Sequence, residues 1–446
     1  MAKTTRGENS TIKRQAVVVI HGMGEQRPMD TLRSFVKGIK GYLEKEDVTE
    51  GTTTVRSKPD GVSEIYETRK LSLSASRTRP ITDFYEFYWA QNMRDTVFSH
   101  MTTWLYQLFA KPYANIPPRL RALWTTVLWL LIILFFAVLS TLWYFGFNTI
   151  KSLLAAIAAI PLAIFILGII QKYFKNLFLT TAGDAARYFT PTPSNISERN
   201  NIRQQGITFL KKLHEKVDGE HYDRVIIVAH SLGTAVAYDL LRLIWTLYNQ
   251  TYERNPVVDQ SLIPHFDAFA KSGEVPDIDA FQNLQYQLWK QQRTTGNKWL
   301  ITDFITLGAA VCSADYFLVS KVPFADLVKE REFPVCPPVP DDKTQSISFE
   351  TKTYHLEYFQ GTQRTVRTLH HAALFALTRW TNIYFKSDFV GSAGCRLFGK
   401  GVKDIPLDRK SLWFIPGGHT HYWDEGSEAS LEAITSALKL RRDSNP

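Results

Sequence analysis

The stretch that decides the fold is Arg224–Ala235, which reads RVIIVAHSLGTA. Its β-branched run Val225–Val228 is too short for a helix and predicts a strand buried on both faces, as in a parallel sheet. Ser231 follows between the small residues Ala229 and Gly233, and a segment of helical composition begins at once. The pattern therefore predicts a sharp strand-to-helix turn that presents the serine hydroxyl as a nucleophile, with a structural turn serine as the alternative.

A glycine-rich loop follows a second predicted strand. Gln15–Ile20 contains AVVVI and runs directly into HGMGEQRP at residues 21–28. Glycine lets backbone N–H groups approach a ligand closely at the carboxyl end of a strand. Alone, the loop would be an ordinary strand-to-helix turn. Beside a nucleophilic serine, it predicts hydrogen-bond donors for a developing oxyanion.

Composition narrows the class of protein. The chain has 446 residues, enough for one elaborated domain or two to three ordinary ones, and a net charge of +9. No helix-turn-helix, zinc-finger or aromatic-basic motif accompanies the charge, so we expect a membrane and no nucleic acid as partner. The cysteines Cys312, Cys336 and Cys395 lack metal-ligand spacing, which predicts free thiols in a reducing compartment and neither a metal nor a cofactor.

The order of the other elements predicts the fold class. Strands and helices alternate, which favours an α/β fold with a mostly parallel sheet flanked by helices. Further strands are predicted at Thr82–Ala90, Ile301–Val311, Asn382–Lys386 and Ser411–Ile415, helices at Asp30–Leu43, Asn195–Val217 and Glu428–Leu440, and a hairpin or loop within Glu50–Ser76. Residues 250–298 are polar and aromatic without a clear strand, and we interpret them as a candidate lid.

Two long uncharged runs interrupt this pattern. They are Ala122–Ile150 and Ser152–Gln171, and each exceeds the roughly 20 apolar residues that cross a bilayer. We predict a transmembrane helical hairpin within residues 119–175, with spans at about 122–147 and 152–171. A re-entrant or surface-inserted helical pair is the alternative.

The hairpin is predicted to be an insertion in one domain. Two spans return the chain to the side it left, so residues 1–118 and 176–446 can form a single α/β domain. Basic residues flank the spans on that side, whereas the short connection holds only Lys151. By the positive-inside tendency, we expect a multi-pass protein of the inner or plasma membrane with its large domain in the cytoplasm.

The remaining chemistry requires a base and an acid. A serine hydroxyl becomes nucleophilic when a base accepts its proton, and a carboxylate fixes the tautomer of that base. Asp388 follows the strand at Asn382–Lys386, and His419 and His421 come after it. The chain order of serine, aspartate and histidine is the order found in hydrolases with this turn.

These motifs resemble the α/β-hydrolase superfamily, and within it bacterial serine esterases and lipases with an Ala-His-Ser-Leu-Gly turn. The resemblance covers residues 15–118 and 176–440. It implies an oxyanion hole formed by the backbone N–H groups of Leu232 and of Met23, in the loop His21-Gly22-Met23-Gly24. Gly233 belongs to the turn motif, and His21 and His230 support the reactive centre without being its base.

The resemblance also implies the other two members of the triad. The run SDFVG at residues 387–391 resembles a post-strand Asp-Pro-Val-Gly turn with phenylalanine in place of proline, which implies Asp388 as the acid. Asp315, after the strand at Ile301–Val311, is the alternative acid. A His-x-x-Tyr-Trp ending implies His419 as the base, and His421 stays open as the alternative.

The expected function is that of a membrane-anchored serine hydrolase. It would cleave carboxylic esters, as a lipase or esterase does, through an acyl-enzyme on Ser231, with a lipid or acyl conjugate as substrate. Two alternatives remain open at this point. One is a catalytically silent, membrane-tethered interaction module with the same fold, and the other is an acyltransferase or thioesterase that uses the same triad.

Overall fold

The computed structural model of the chain divides into two compact units. One unit combines Met1–Asn92 with Thr192–Pro446, and the other is Met93–Pro191, within which the predicted hairpin lies. The structure describes residues 12–22, 27–46, 53–76, 79–92, 196–217, 219–252, 259–314, 322–352, 365–388, 390–409 and 418–440, together with position 188 and several positions between 121 and 140.

An eight-stranded sheet forms the centre of the first unit. Its strands are β1 Arg14–Ile20, β2 Val55–Pro59, β3 Arg69–Leu73, β4 Ile81–Phe87, β5 Arg224–His230, β6 Ile301–Leu307, β7 Arg379–Phe385 and β8 Lys403–Leu407. Their order across the sheet is β8-β7-β6-β5-β1-β4-β3-β2. The strands from β8 to β4 pair in parallel, and β3 and β2 add an antiparallel edge.

The order of the strands reverses between β1 and β5. From β5 the chain builds outward through β6, β7 and β8, whereas β1 has β4 on its other side. Ligands of open α/β sheets bind outside the carboxyl ends of the strands at such a switch point. Here those ends lead into His21-Gly22 and into Ser231, so the topology places the two predicted motifs side by side.

Helices cover both faces of the sheet. They are α1 Asp30–Glu46, α2 Ile196–His214, α3 Gly233–Tyr248, α4 Ile263–Ser272, α5 Ile278–Thr295 and α6 Glu428–Ala437, with shorter ones at Phe324–Lys329 and Cys395–Phe398. Two small antiparallel pairs, Lys216–Val217 with Glu220–His221 and Ser348–Lys352 with Thr365–Leu369, lie outside the main sheet.

Alternate residues of each strand point to opposite faces of the sheet, so each face can pack against its own layer of helices. Val17 and Val19 of β1 join Phe35 of α1 and Ile434 of α6 in one buried cluster. On β5, Val225–Ala229 is buried throughout, because both faces of the central strands are covered. The predicted α/β class with a mostly parallel, helix-flanked sheet is confirmed.

Some predicted elements differ from the observed ones. β6 ends at Leu307, four residues before the predicted end, because the chain then turns through Gly308 at a positive φ. The edge strand β8 was not predicted, since it contains Pro406 and charged residues and is only half-buried. The predicted strand Ser411–Ile415 lies outside the described residues.

The candidate lid at residues 250–298 contains α4 and α5. Asp277 caps α5 by accepting hydrogen bonds from the backbone N–H groups of Asp279 and Ala280. Gln285 donates to the carbonyl of Phe375 at 2.6 Å, so α5 is anchored to the chain just before β7. Helix α5 therefore contributes to the layer that covers the sheet, and a lid function stays a prediction.

The predicted transmembrane hairpin lies mostly outside the described residues. Among the residues that are described, no helix combines the length and the apolar composition that a membrane crossing needs. Several described positions of the first run are helical, and their large apolar side chains are exposed. These are Trp129, Ile133, Phe135, Phe136 and Leu139.

A matched pair of glycines in α1 tests how this helix packs. A Cβ at Gly38 would lie 2.1 Å from the carbonyl oxygen of Trp423, whereas nothing lies within 4 Å of a Cβ at Gly41. We expect Gly38→Ala to lower the free energy of unfolding by about 1–3 kcal/mol through overpacking. Gly41→Ala should raise it by about 0.5–1 kcal/mol, because alanine favours the helix.

Urea unfolding of the two variants beside the wild type gives both values. Equal stability of Gly38→Ala and Gly41→Ala would contradict the close approach of α1 to the chain at Trp423.

Candidate functional site

Ser231 occupies a strained position at the end of β5. Its φ is +54°, a left-handed value that few residues other than glycine adopt. Its N–H donates to the carbonyl of Leu307 at 3.0 Å, and its own carbonyl accepts from the Thr234 N–H at 3.1 Å. These bonds fix the backbone of the turn between β5 and α3, and the fixed backbone sets the direction of the Ser231 side chain.

Two glycines let the backbones around Ser231 approach closely. A Cβ at Gly233 would lie 2.3 Å from the carbonyl oxygen of His21, so the first turn of α3 packs directly on the end of β1. A Cβ at Gly22 would lie 2.8 Å from the Cβ of Ser231. The glycine-rich loop and the serine turn can lie side by side only because both positions lack a side chain.

The structure brings Ser231, His419 and Asp388 into one hydrogen-bonded array. The Ser231 hydroxyl donates to Nε2 of His419 at 2.8 Å. Nδ1–H of His419 donates to the two carboxylate oxygens of Asp388 at 3.0 and 2.9 Å. In this arrangement, an imidazole can accept the serine proton while a carboxylate holds its tautomer.

Asp388 is fully buried and ionised. Burial raises the pKa of its carboxyl, but the electrostatic interaction with His419 and the hydrogen bonds from His419, Tyr422 and the Val390 N–H overcome this and lower the pKa to about 2. Tyr422 Oη donates to Oδ2 at 2.7 Å, and Val390 N–H donates to Oδ1 at 2.8 Å. The carboxylate thus stays charged beside His419 over the whole physiological pH range.

The groups that surround this carboxylate were not predicted from the sequence. Tyr422 belongs to the His-x-x-Tyr-Trp ending, and it is buried and hydrogen-bonds to both Asp388 and the backbone N–H of Phe385. A Cβ at Gly308, whose φ is +54°, would lie 2.7 Å from Oδ2 of Asp388. A glycine directly after a buried strand was the available signal for this close approach.

The alternative residues lie elsewhere. Nδ1 of His421 hydrogen-bonds to the carboxylate of Asp424, and the His421 side chain is 43% exposed. Asp315, Met23 and Gly24 lie outside the described residues. Leu232 is the N-cap of α3, so its N–H belongs to the helix N-terminus and has no partner within the helix.

Strand β4 and the residues directly after it hold both ends of the glycine-rich loop. At one end, the Trp89 N–H donates to Nε2 of His21 at 3.3 Å, its indole N–H donates to the His21 carbonyl at 3.0 Å, and the two rings stack. At the other end, the carboxylate of Glu86 accepts the Met29 N–H at 2.5 Å. Neither contact could be predicted from the sequence, because both depend on the pairing of β4 with β1.

Burial shifts the pKa of two side chains at the ends of this loop, His21 and Glu86. Burial lowers the pKa of His21 to about 4, although its hydrogen bond to the Gly22 carbonyl opposes this shift. His21 is therefore neutral and fixed as the Nδ1–H tautomer. Burial raises the pKa of Glu86 to about 7, against the hydrogen bonds from the start of α1.

Comparison with known proteins adds no identification. No family model, curated protein or solved structure matches the chain. Within the described residues, no group of three or more metal-ligating side chains could hold a metal ion. The three cysteines are free thiols, as predicted. The site is therefore interpreted from its own geometry.

Neutral histidines in the folded chain make its free energy of unfolding depend on pH. Burial lowers the pKa of His21, His214 and His370 to about 4 and that of His230 to about 3. The unfolded chain protonates these groups below about pH 6.5, whereas the folded chain does not. Unfolding therefore takes up protons at these histidines below that pH, and the free energy of unfolding falls as the pH decreases toward 4. Glu86, with its raised pKa, releases a proton on unfolding in the same range and offsets the uptake by one histidine.

We expect the free energy of unfolding to fall by at most about 4 kcal/mol per pH unit between pH 6 and 5, since unfolding takes up about three protons net. Urea titrations at pH 7.5, 6.0 and 5.0 measure this slope. His21→Gln should reduce the proton uptake on unfolding by about one proton. His265→Gln, at an exposed position, should leave the proton uptake unchanged. A stability independent of pH in this range would contradict the burial of neutral imidazoles.

Proposed function

We propose that the chain is a membrane-anchored serine hydrolase of the α/β-hydrolase type that cleaves carboxylic esters through an acyl-enzyme on Ser231. The observation that carries the proposal is the array of Ser231, His419 and Asp388, with the serine at a left-handed φ directly after a central parallel strand. Ser231 directly follows β5 and Asp388 follows β7, so both lie at the carboxyl ends of sheet strands, where α/β proteins bind ligands.

The chemistry follows from the hydrogen bonds. Oγ of Ser231 attacks the ester carbonyl carbon while its proton moves to Nε2 of His419. The C–O bond of the ester then breaks, and the leaving alkoxide takes the proton from His419. Water repeats the sequence on the acyl-enzyme and releases the acid. Asp388 stays ionised and stabilises the imidazolium in both halves.

The developing oxyanion requires donors near Ser231. The Leu232 N–H at the start of α3 is one, because the N-terminus of a helix presents unpaired N–H groups and a positive partial charge. The second would be the Met23 N–H, in the loop whose two ends are held by Trp89 and Glu86. One such donor typically contributes about 3–4 kcal/mol to the transition state.

Membrane attachment is proposed from the two uncharged runs. Their lengths suit a bilayer, and exposed apolar side chains at Trp129, Phe135 and Phe136 would be unfavourable in water. A lipid or acyl conjugate is the substrate class that an anchored hydrolase meets at high local concentration. The flanking basic residues support a cytoplasmic position for the α/β unit.

Labelling with a fluorophosphonate probe tests the nucleophile and the base together. In the full chain purified in detergent, we expect the wild type to be labelled and Ser231→Ala to be unlabelled. His419→Ala should slow labelling and ester turnover by about 10³-fold or more, because the serine then lacks its base. His421→Ala, two residues away in the same loop, is the matched control and should change the rates by less than about threefold.

The possible results separate the alternatives. Labelling of Ser231→Ala would contradict the nucleophile assignment, and a larger loss in His421→Ala than in His419→Ala would reverse the choice of base. A folded wild type that neither reacts with the probe nor hydrolyses esters would favour the interaction module.

Deletion of residues 122–171, with a short flexible linker in their place, tests the anchor. We expect the shortened chain to leave the membrane fraction and to hydrolyse soluble short-chain esters at a rate within about threefold of the wild type. Activity on esters in vesicles should fall much further, because the anchor supplies a high local concentration.

The wild type, fractionated in parallel, is the control for membrane association. A shortened chain that aggregates or loses activity on soluble ester would show that this segment belongs to the core of the catalytic unit, and the anchor interpretation would then be wrong.

A further inference from the structure

His230 is the last residue of β5 and directly precedes Ser231. Its Nε2–H donates to the backbone carbonyl of His419 at 2.6 Å. The two imidazole rings lie 4.9 Å apart, tilted by 34°. One side chain thus connects the strand that carries the proposed nucleophile with the loop that carries the proposed base.

The other ring nitrogen of His230 faces the glycine-rich loop. A Cβ at Gly22 would lie 3.2 Å from Nδ1 of His230, and 2.8 Å from Cβ of Ser231. No larger residue fits at Gly22 without displacing the imidazole or the serine. His230 therefore contacts three parts of the site: the serine turn, the loop that carries His419 (the base loop), and Gly22, the first glycine of the predicted oxyanion loop.

Two aromatic neighbours fix the plane of the His230 ring. Trp423 lies edge-on at 5.1 Å and 82°, and Tyr422 lies at 5.8 Å and 61°. Tyr422 also donates to Asp388, so the group that orients His230 is bound to the acid as well. These ring contacts restrict rotation of the His230 imidazole.

The hydrogen bond to His419 requires a donor, and a neutral ring supplies one without a second positive charge. Burial lowers the pKa of His230 to about 3, and repulsion from His419 acts in the same direction, although the His419 carbonyl and Asp388 oppose the shift. A cation at His230 would repel the imidazolium that forms on His419 during proton transfer. A neutral imidazole with its proton on Nε2 avoids this repulsion.

We infer that His230 is a positioning residue that sets the place of His419 relative to Ser231 through the Nε2–H bond to the His419 carbonyl. This inference rests on the proposed function. The donor nitrogen, and not merely the volume of the ring, is the required feature. Because the bond joins the residue before the nucleophile to the backbone of the base, its loss lengthens the path over which the serine proton must move.

Three substitutions distinguish a donor from a space-filling group. The amide of His230→Gln can place an N–H near the position of Nε2, that of His230→Asn places it near Nδ1, and His230→Leu has no donor. With a soluble short-chain ester, we expect kcat to fall about 10- to 100-fold in His230→Asn and His230→Leu, since small displacements of a reacting group cost rates of this order. His230→Gln should lose less than about fivefold, with KM nearly constant in all three.

His265→Leu, at an exposed position of α4, is the matched control for the loss of an imidazole. A kcat of His230→Leu equal to that of the wild type, or equal losses in His230→Gln and His230→Asn, would overturn the inference. A wild type that is inactive and unlabelled would instead contradict the proposed function.

A measurement on the wild type covers the case in which a variant does not fold. Nitrogen-15 NMR of histidine-labelled protein at pH 7 should show His230 neutral and protonated at Nε2, with the His419 carbonyl as acceptor. A His230 protonated only at Nδ1 would overturn the inference, because that tautomer cannot donate to His419.

Discussion

The parallel pairing of β1 with β5 is the constraint on which the candidate site depends. Val18 pairs with Ile227 and Ile20 with Ala229, so both strands end at the same level of the sheet. The chain then turns in opposite directions, into the glycine-rich loop and into α3. Gly22 and Gly233 allow these turns to touch through their backbones, and a side chain at either position would separate the loop from the serine. The geometry of the candidate site is thus a consequence of strand register.

Charge is distributed unevenly around this junction. Asp388 carries a full negative charge in a buried place, where several donors stabilise it. His21 and His230, which lie close to the same centre, are held neutral by burial. Of these three imidazoles, the ring of His419 is the one that hydrogen-bonds to a carboxylate, that of Asp388. The surroundings therefore disfavour a positive charge on the two neighbouring imidazoles.

Local signals were sufficient to predict the strand and the serine turn. A β-branched run and small residues act through the backbone of their own segment, so Val225–Gly233 could be read without its partners. The choice between His419 and His421 depended on which ring faces Asp388, and only the tertiary structure shows that. α5 was missed because part of its buried side consists of glutamines such as Gln285, which bond to backbone carbonyls and resemble surface residues in the sequence. The contacts of Glu86 and Trp89 were equally invisible, since they follow from strand pairing.

The distance along the chain between Ser231 and His419 has a consequence for biosynthesis. The two residues are 188 positions apart. At the usual speed of translation, the serine turn is made about 10–40 seconds before His419. A serine without a base is an ordinary alcohol, so under the proposed function the growing chain could not attack esters while it is being made. A chain that is delivered to a lipid bilayer during synthesis would therefore acquire its reactivity only after most of it has left the ribosome.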